Sequence, residues 1–312
     1  MDITTRRPVC LRGVNRSGLE YVAPTADDVL ASAGVSAHEF DEIREWGANL
    51  VRIPFNQSHA LGRNETGSAR YLRALDQVIA LARARGIYTL LDLQWIDSIS
   101  PRGHFADGRP NFVAPLPNAD SLQVWSRLAS RYQDDTSVLY DIFNEPHDPL
   151  ADDPADLLGI RPDGSLFPLG HRRVHFSEWI PWARRLSAAI RAQNPNALIF
   201  ISGIDWAYDL SGFLIQGLEN VVYSTHVYPG KKKSWNSAFG RLSRKHPVFV
   251  AELGGTENDL SWGRKLMDYL NQHEIGWAAW SWCDHPRLLQ SGAGYLPTAF
   301  GQLVRDNLRL PV

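Results

Sequence analysis

The stretch VLYDIFNEPH, residues 138–147, is an apolar run that ends abruptly in an amide, a carboxylate and a proline. An apolar run of this length is typical of a parallel strand that is covered on both faces. Asn144 and Glu145 would then lie where the strand leaves the core, which is where α/β folds place their functional groups. The stretch therefore predicts a buried parallel strand with a polar site at its carboxyl end.

Seven further runs of this kind alternate with stretches of helical periodicity along the chain. The eight predicted strands are residues 9–14, 49–55, 87–95, 138–144, 197–202, 221–228, 248–253 and 275–282. Eight alternations of strand and helix predict an α/β protein with the closed (β/α)8 architecture of a TIM barrel. A chain of 312 residues suits one such barrel, so we expect a single domain over residues 1–312, with its fifth helix after Trp206.

Two predicted connections are longer than a barrel requires, residues 96–118 after the third strand and residues 147–176 after the fourth. Both are rich in proline, glycine and aspartate, and long loops in compact domains are usually functional or disordered. Because both follow the carboxyl ends of strands, we expect them to form the walls of a cleft on that face.

Composition argues against several classes of partner. A formal charge of -2 and a single short basic run, residues 231–233, predict no nucleic-acid partner, and no apolar run approaches the length of a membrane span. Two cysteines, no clustered metal ligands and no glycine-rich phosphate loop predict neither a metal nor another cofactor. We take a monomer as the default. Residues 1–13 contain no apolar stretch of signal-peptide length, so the sequence leaves the compartment open: extracellular if a signal peptide was removed, otherwise cytoplasmic.

Polar and aromatic side chains collect near the carboxyl ends of the predicted strands: Arg52, Gln94, Asn144, Glu145, His226, Tyr228, Glu252 and Trp280. Any one of them alone is more simply explained as an ion pair or a capping group. In a barrel, however, these positions converge on one pocket, and buried polar groups are costly unless they are paired or used. We therefore expect them to form a common site.

Two carboxylates on opposite sides of a barrel suit the cleavage of a glycosidic bond, in which one protonates the leaving oxygen and the other attacks or stabilises the anomeric carbon. We expect Arg52 and Tyr228 to hold Glu252 in its charged form. We expect the apolar surroundings of Glu145 to raise its pKa, so that it stays protonated and can act as a general acid.

Four motifs contain these residues: NEP at 144–146, THVY at 225–228, AELGG at 251–255 and AWSW at 279–282. They resemble the motifs of glycoside hydrolase family 5, the retaining cellulase and mannanase family of barrel enzymes. The similarity begins at LRGVN, residues 11–15, and continues through NLVRIPF, residues 49–55, so that it covers nearly the whole chain in the family's order.

The resemblance implies that Glu145 is the acid/base, that Glu252 is the nucleophile and that Asn144 bonds the sugar 2-hydroxyl. It implies that Trp280 forms the floor of the subsite for the sugar that becomes covalently attached. Three residues would order the two carboxyl groups: Arg52, His226 and Tyr228. Retention of configuration predicts carboxyl groups about 5 to 5.5 Å apart.

Gln94 departs from the family pattern, which usually has a histidine after the third strand where this chain reads LDLQW. A glutamine still donates and accepts hydrogen bonds to a sugar but carries neither a proton nor a charge. Trp95 and Trp206 fall on the same face and could stack on sugars, although Trp206 is equally well explained as packing.

The sequence thus predicts a retaining β-glycoside hydrolase, first of all an endo-β-1,4-glucanase acting on a β-linked oligo- or polysaccharide. A β-mannanase and an exo-acting β-glucosidase keep the same chemistry and remain alternatives. A barrel that binds carbohydrate without cleaving it is a further alternative, against which the presence of both glutamates argues.

Overall fold

Eight parallel strands close into a barrel in the computed structural model, which describes residues 9–23, 26–63, 68–96, 114–148, 174–255 and 260–311, with the backbone of residues 158–160 and 166–168. In their order around the barrel the strands are β1 (Arg12–Asn15), β2 (Leu50–Asn56), β3 (Tyr88–Trp95), β4 (Val138–Asp141), β7 (Ile199–Ser202), β8 (Val221–Val227), β9 (Val248–Leu253) and β10 (Gly276–Ala279). β10 pairs with β1 and completes the closure. The fold class predicted from the sequence is confirmed.

The described helices lie between the strands and after the last one. They are α1 (Val29–Ser32), α2 (Ala37–Glu45), α3 (Gln57–Leu61), α4 (Ser68–Arg83), α5 (Ala119–Arg131), α6 (Phe176–Arg191), α7 (Arg241–Ser243), α8 (Leu260–Gln272) and α9 (Ala299–Leu308). A 3₁₀ turn, Leu19–Tyr21, follows β1, and a π-helical turn, Asn236–Gly240, precedes α7. Among the described residues no helix is both long and apolar enough to cross a membrane.

The two long connections fall mainly outside the described residues, which exclude 97–113, 149–157, 161–165 and 169–173. Within the second connection, β5 (Leu158–Ile160) and β6 (Leu166–Pro168) pair as a two-stranded antiparallel ribbon. The walls that we expected these segments to form stay a prediction.

The prediction of a fifth helix after Trp206 is wrong. Residues 203–220 form turns and isolated bridges instead of a helix. Gly212 and Gly217 adopt positive φ angles of 80° and 72°, which interrupt any helical path. The apolar side chains of this segment, such as Phe213, are still buried, so the segment covers the barrel without regular structure.

Close packing at the junction of β1 and β2 requires a glycine. A Cβ atom added at Gly13 would lie 1.8 Å from the carbonyl oxygen of Leu50, the residue paired with it in β2. Any side chain at position 13 would therefore push the two strands apart.

The barrel interior consists of an apolar layer and a polar layer stacked along the strands. The apolar layer is formed by Leu50, Leu90, Leu139, Phe200, Phe249, Ala251 and Ala278. Side chains two positions apart on a strand share a face, so the residues two positions after the first four of these form the next layer towards the carboxyl ends. These are Arg52, Asp92, Asp141 and Ser202, all buried. The apolar layer thus supports a charged layer from below.

Phe200→Ala should lower the free energy of unfolding by about 3 to 5 kcal/mol, because it opens a cavity in the apolar layer where Phe200 packs edge to face on Phe249. Urea denaturation measures the change. As a control, Leu296→Ala removes a side chain that is 58% exposed and should change the value by less than about 0.5 kcal/mol. An equally small effect at Phe200 would contradict the layer's supporting role.

Candidate active site

Arg52 lies at the centre of the polar layer and is fully buried. Its Nη1 donates to Oε1 of Glu252 at 2.8 Å and to Oδ1 of Asn15 at 2.9 Å. Its Nη2 donates to Oδ1 of Asn144 at 2.9 Å. One guanidinium therefore joins strands β1, β2 and β9 to the segment that follows β4.

Two further acids contact Arg52 from below. Its Nε donates to Oδ2 of Asp141 at 2.9 Å, and its Nη2 lies 3.0 Å from Oδ1 of Asp92. Both carboxyl groups are fully buried. Sequence reasoning missed these two residues and Asn15, although an acid inside an otherwise apolar strand such as YTLLDLQW was a signal that could have found them.

Glu252 is held by donors on both of its carboxyl oxygens. Arg52 donates to Oε1, and the hydroxyl of Tyr228 donates to Oε2 at 2.8 Å. Nδ1 of His226 lies 3.5 Å from Oε2. Arg52 and Tyr228 thus both contact the carboxyl group of Glu252, as expected from the sequence.

Glu145 has a different environment, although its carboxyl group is the same chemically. Its Oε1 lies 2.8 Å from Nδ1 of His226, and its side chain is 17% exposed. Burial raises the pKa of Glu145 to about 7, against the opposing influence of His147, Arg52 and Lys231. Burial also lowers the pKa of His226 to about 3, so its imidazole is neutral at ordinary pH. Glu145 can therefore hold a proton close to neutral pH.

The two glutamates face one another across a short gap. One oxygen of Glu145, one oxygen of Glu252 and a ring nitrogen of His226 all lie within 4.8 Å of one another. Such a set could in principle hold a metal ion, but Arg52 and Tyr228 already occupy both oxygens of Glu252 with donors. The set is therefore better suited to a substrate atom than to a cation.

Asn144 presents its amide in a defined direction. Its Oδ1 accepts from Arg52, which leaves Nδ2 as a donor beside Glu145. The backbone N–H of Asn144 donates to the carbonyl oxygen of Leu93 at 3.1 Å and fixes the end of β4 against β3.

Two tryptophans lie at the edges of this centre. Trp280 follows β10, is 7% exposed and donates its Nε1 to the carbonyl oxygen of His285 at 2.9 Å. Trp206 stacks on the ring of His147 with a centroid distance of 3.9 Å and an angle of 11°. His147, in turn, places Nδ1 2.6 Å from the backbone carbonyl oxygen of Glu145. The Trp206–His147 pair therefore packs against the backbone of Glu145, and His147 was not among the predicted residues.

The backbone around Trp206 is strained. Asp205, Trp206 and Ala207 have φ angles of 57°, 58° and 58°, a left-handed run without glycine. The N–H of Trp206 donates to the carbonyl oxygen of Pro146 at 3.1 Å, and Nζ of Lys231 donates to the carbonyl oxygen of Asp205 at 2.8 Å. These contacts hold the indole in one place.

Gln94 and Trp95 end β3 and stand apart from the hydrogen-bonded centre. Oε1 of Gln94 is buried and has no hydrogen-bond partner among the described residues, and the same is true of Nε1 of Trp95. The ring of Trp95 lies 6.1 Å from that of Tyr21.

The structure thus brings together six of the predicted site residues in one chain of contacts: Arg52, Asn144, Glu145, His226, Tyr228 and Glu252. The other four surround it or lie beside it without a contact to either glutamate among the hydrogen bonds and ion pairs described above.

The raised pKa of Glu145 makes a prediction about stability. Since the folded state keeps a proton that the unfolded state, with a pKa of 4.5, releases, the free energy of unfolding falls as the pH rises from 4.5 to about 7. Glu145→Gln removes this loss. The free energy of unfolding of the variant, relative to that of the wild type, should therefore be up to about 3 kcal/mol higher at pH 8 than at pH 4. Urea denaturation at both pH values measures it. The same change at exposed Glu219 is the control, and equal pH dependence in both variants would contradict the buried, protonated Glu145.

Comparison with known proteins identifies the family. The family described as Cellulase (glycosyl hydrolase family 5) matches residues 17–286. An endoglucanase of Paenibacillus polymyxa is 24% identical over 292 residues, which cover 77% of this chain and 68% of that protein. Endoglucanase E-5 of Thermobifida fusca is 24% identical over 310 residues, which cover 93% of this chain but only 55% of that protein. A β-glucanase of Saccharophagus degradans, solved in complex with cellotetraose, shares the fold with a TM-score of 0.74 at 22% identity, over 98% of this chain and 89% of that one. The chain belongs to glycoside hydrolase family 5 and is therefore a glycoside hydrolase.

Proposed function

We propose that this chain is a retaining endo-β-1,4-glucanase that cleaves β-glucans by double displacement. The observation that carries the proposal is the gap between Glu145 and Glu252, which brings an oxygen of each within 4.8 Å of the other. Inverting enzymes need their carboxyl groups about 6.5 to 9.5 Å apart to admit a water between the base carboxylate and the sugar, whereas retaining enzymes need about 5 to 5.5 Å. The short gap supports direct attack by one of the two carboxylates.

Glu145 is the general acid in this proposal, because a pKa of about 7 lets it carry the proton that the leaving oxygen needs. It protonates the leaving oxygen in the first step and removes a proton from water in the second. His226 contacts Glu145 as a neutral imidazole and so orients the acid without adding a charge.

Glu252 is the nucleophile. Arg52 and Tyr228 hold its two oxygens, so that the carboxylate is aimed before the sugar arrives. Asn144 offers its free amide nitrogen to the 2-hydroxyl of the bound sugar. Trp280 is the floor under the sugar that becomes attached.

The substrate is proposed as a β-1,4-linked glucan, since two relatives are named endoglucanases and a structural neighbour holds cellotetraose. Trp206 offers a stacking surface beside the leaving-group side of Glu145. Gln94 stands where the family usually has a histidine, and its amide can donate and accept hydrogen bonds to a sugar. A different sugar that satisfies Gln94 better, such as mannose, is the principal alternative.

The first test distinguishes the roles of the two glutamates. Glu252→Ala should abolish turnover of an aryl β-glycoside, because no nucleophile remains, and added azide should restore it with a glycosyl azide of inverted configuration as the product. Proton NMR of the product gives the configuration. Recovery of an inverted azide from Glu145→Ala instead would mean that the two roles are exchanged.

The second test identifies the substrate. Products from carboxymethylcellulose, barley β-glucan, xyloglucan, mannan and aryl β-glycosides should be followed over time for the wild type and for Glu145→Gln. We expect mixed oligosaccharides early on soluble β-1,4-glucans and a loss of about 100-fold or more in the variant, which lacks the acid.

Other outcomes of the same experiment separate the alternatives. Early release of a single small sugar would indicate exo action, and activity confined to mannan would indicate a mannanase. Inactivity on every substrate would support a barrel that only binds carbohydrate, and a loss of activity on adding EDTA would support a metal-dependent hydrolase.

A further inference from the structure

The buried polar layer around Arg52 contains more acidic groups than basic ones. Arg52 is surrounded by three carboxyl groups at 2.8 to 3.0 Å, those of Asp92, Asp141 and Glu252. All four side chains are at most 5% exposed. Since isolated buried charges are strongly unfavourable, one cation cannot balance three ionised acids. At least one of the acids must therefore be neutral.

Asp92 and Asp141 differ in how they meet the guanidinium. Asp141 accepts a hydrogen bond from Nε, whereas neither oxygen of Asp92 has a hydrogen-bond partner with good geometry among the described residues. A buried carboxyl group that accepts no hydrogen bond is less stabilised in its charged form than one that does. Burial and the neighbouring charges of Asp141, Glu252 and Glu20 hold the pKa of Asp92 well above its usual range despite Arg52. Burial raises the pKa of Asp141 only to about 6, because Arg52 opposes it.

Arg52 thus lies between two carboxyl groups that accept its hydrogen bonds, Glu252 on the sugar side and Asp141 on the core side, while Asp92 accepts none among the described residues. We propose that Asp141 is a positioning residue for the reaction: it remains the counterion of Arg52 when Glu252 loses its charge on forming the ester with the sugar. The inference rests on the retaining mechanism proposed above. It explains how the charged layer around Arg52 tolerates the loss of a negative charge at Glu252.

The charge balance of the first step shows why a second counterion matters. An oxygen of Glu252 forms a bond to the anomeric carbon while the bond from that carbon to the leaving oxygen breaks. The electron pair of the broken bond goes to the leaving oxygen, which takes the proton of Glu145. Glu252 becomes a neutral ester and Glu145 becomes a carboxylate, so one negative charge moves away from Arg52. With Asp141 in place, the guanidinium keeps a hydrogen-bonded anion throughout.

Without the charge of Asp141, Arg52 would bind Glu252 as its only ionised partner. The nucleophile would then be more strongly stabilised before attack, and the ester would leave a buried guanidinium without a counterion. Asp92 does not replace Asp141, because no hydrogen bond holds it in the charged form. The first step should become slower, whereas the second step, which restores the charge of Glu252, should not.

The two steps can be measured separately with 2-deoxy-2-fluoro-β-cellobiosyl fluoride. Inactivation of the enzyme by this reagent reports formation of the ester, and recovery of activity after its removal reports hydrolysis of the ester. For Asp141→Asn, which keeps the shape of the side chain, we expect inactivation to slow by about 100-fold and recovery to proceed at the wild-type rate or faster. Equal slowing of both steps would indicate a misplaced Glu252 and overturn the proposal, as would unchanged inactivation.

Two further variants complete the comparison. Asp92→Asn should slow inactivation by less than about 10-fold, because it replaces a group that accepts no hydrogen bond from Arg52. Asp76→Asn breaks an aspartate–arginine pair with Arg131 on the outer helices, far from the barrel interior, and should leave both rates unchanged. A loss at Asp92 as large as that at Asp141 would contradict the assignment of the charge to Asp141.

A stability measurement tests the same charge without the Asp141 variant, in case that variant does not fold. Glu252→Gln imitates the neutral ester, so it should change the Tm at pH 7 by less than about 3 °C while Asp141 still balances Arg52. A fall of more than about 10 °C would show that Glu252 is the necessary counterion and would overturn the proposal. Failure of the reagent to label Glu252 in a wild type that hydrolyses aryl β-cellobiosides, seen by peptide mass spectrometry, would instead overturn the retaining mechanism and with it this inference.

Discussion

The burial of Arg52 is the constraint on which the rest of the site depends. A guanidinium enclosed in a barrel must find acceptors for its donors, and here they come from Asn15, Asp141, Asn144 and Glu252. Because these residues are contributed by several strands and by the segment after β4, the arginine fixes their relative positions more firmly than any pairwise contact could. The apolar layer below excludes water and so keeps the electrostatic attraction strong.

The same layer explains how the surroundings of two chemically identical glutamates differ within a few ångströms. Glu252 faces the cation and a hydroxyl, whereas Glu145 faces a neutral imidazole and buried surface. The difference comes from the environment alone. The burial of Glu145 therefore lowers the free energy of unfolding near neutral pH. Such a loss is expected where an apolar environment raises the pKa of a carboxyl group for its chemistry.

The sequence predicted the barrel and the six connected site residues because both depend on local patterns. Eight apolar runs specify eight strands, and an acid such as Glu145 at the end of a run is visible without any knowledge of its partners. Asp92 and Asp141 were missed because an acid inside an apolar strand indicates a buried partner but does not show which residue that partner is. The fifth helix was predicted wrongly because Phe213 and its apolar neighbours bury themselves through turns, which periodicity does not detect.

The left-handed run at Asp205, Trp206 and Ala207 has a consequence for ligand recognition. Each such residue costs about 1 to 2 kcal/mol in backbone energy, which the folded protein bears whether or not a ligand is present. A ligand that stacks on the indole therefore meets a rigid surface and loses little affinity to ordering the protein. The cost of ordering the indole is thus met when the protein folds, as backbone strain, and does not arise when a ligand binds.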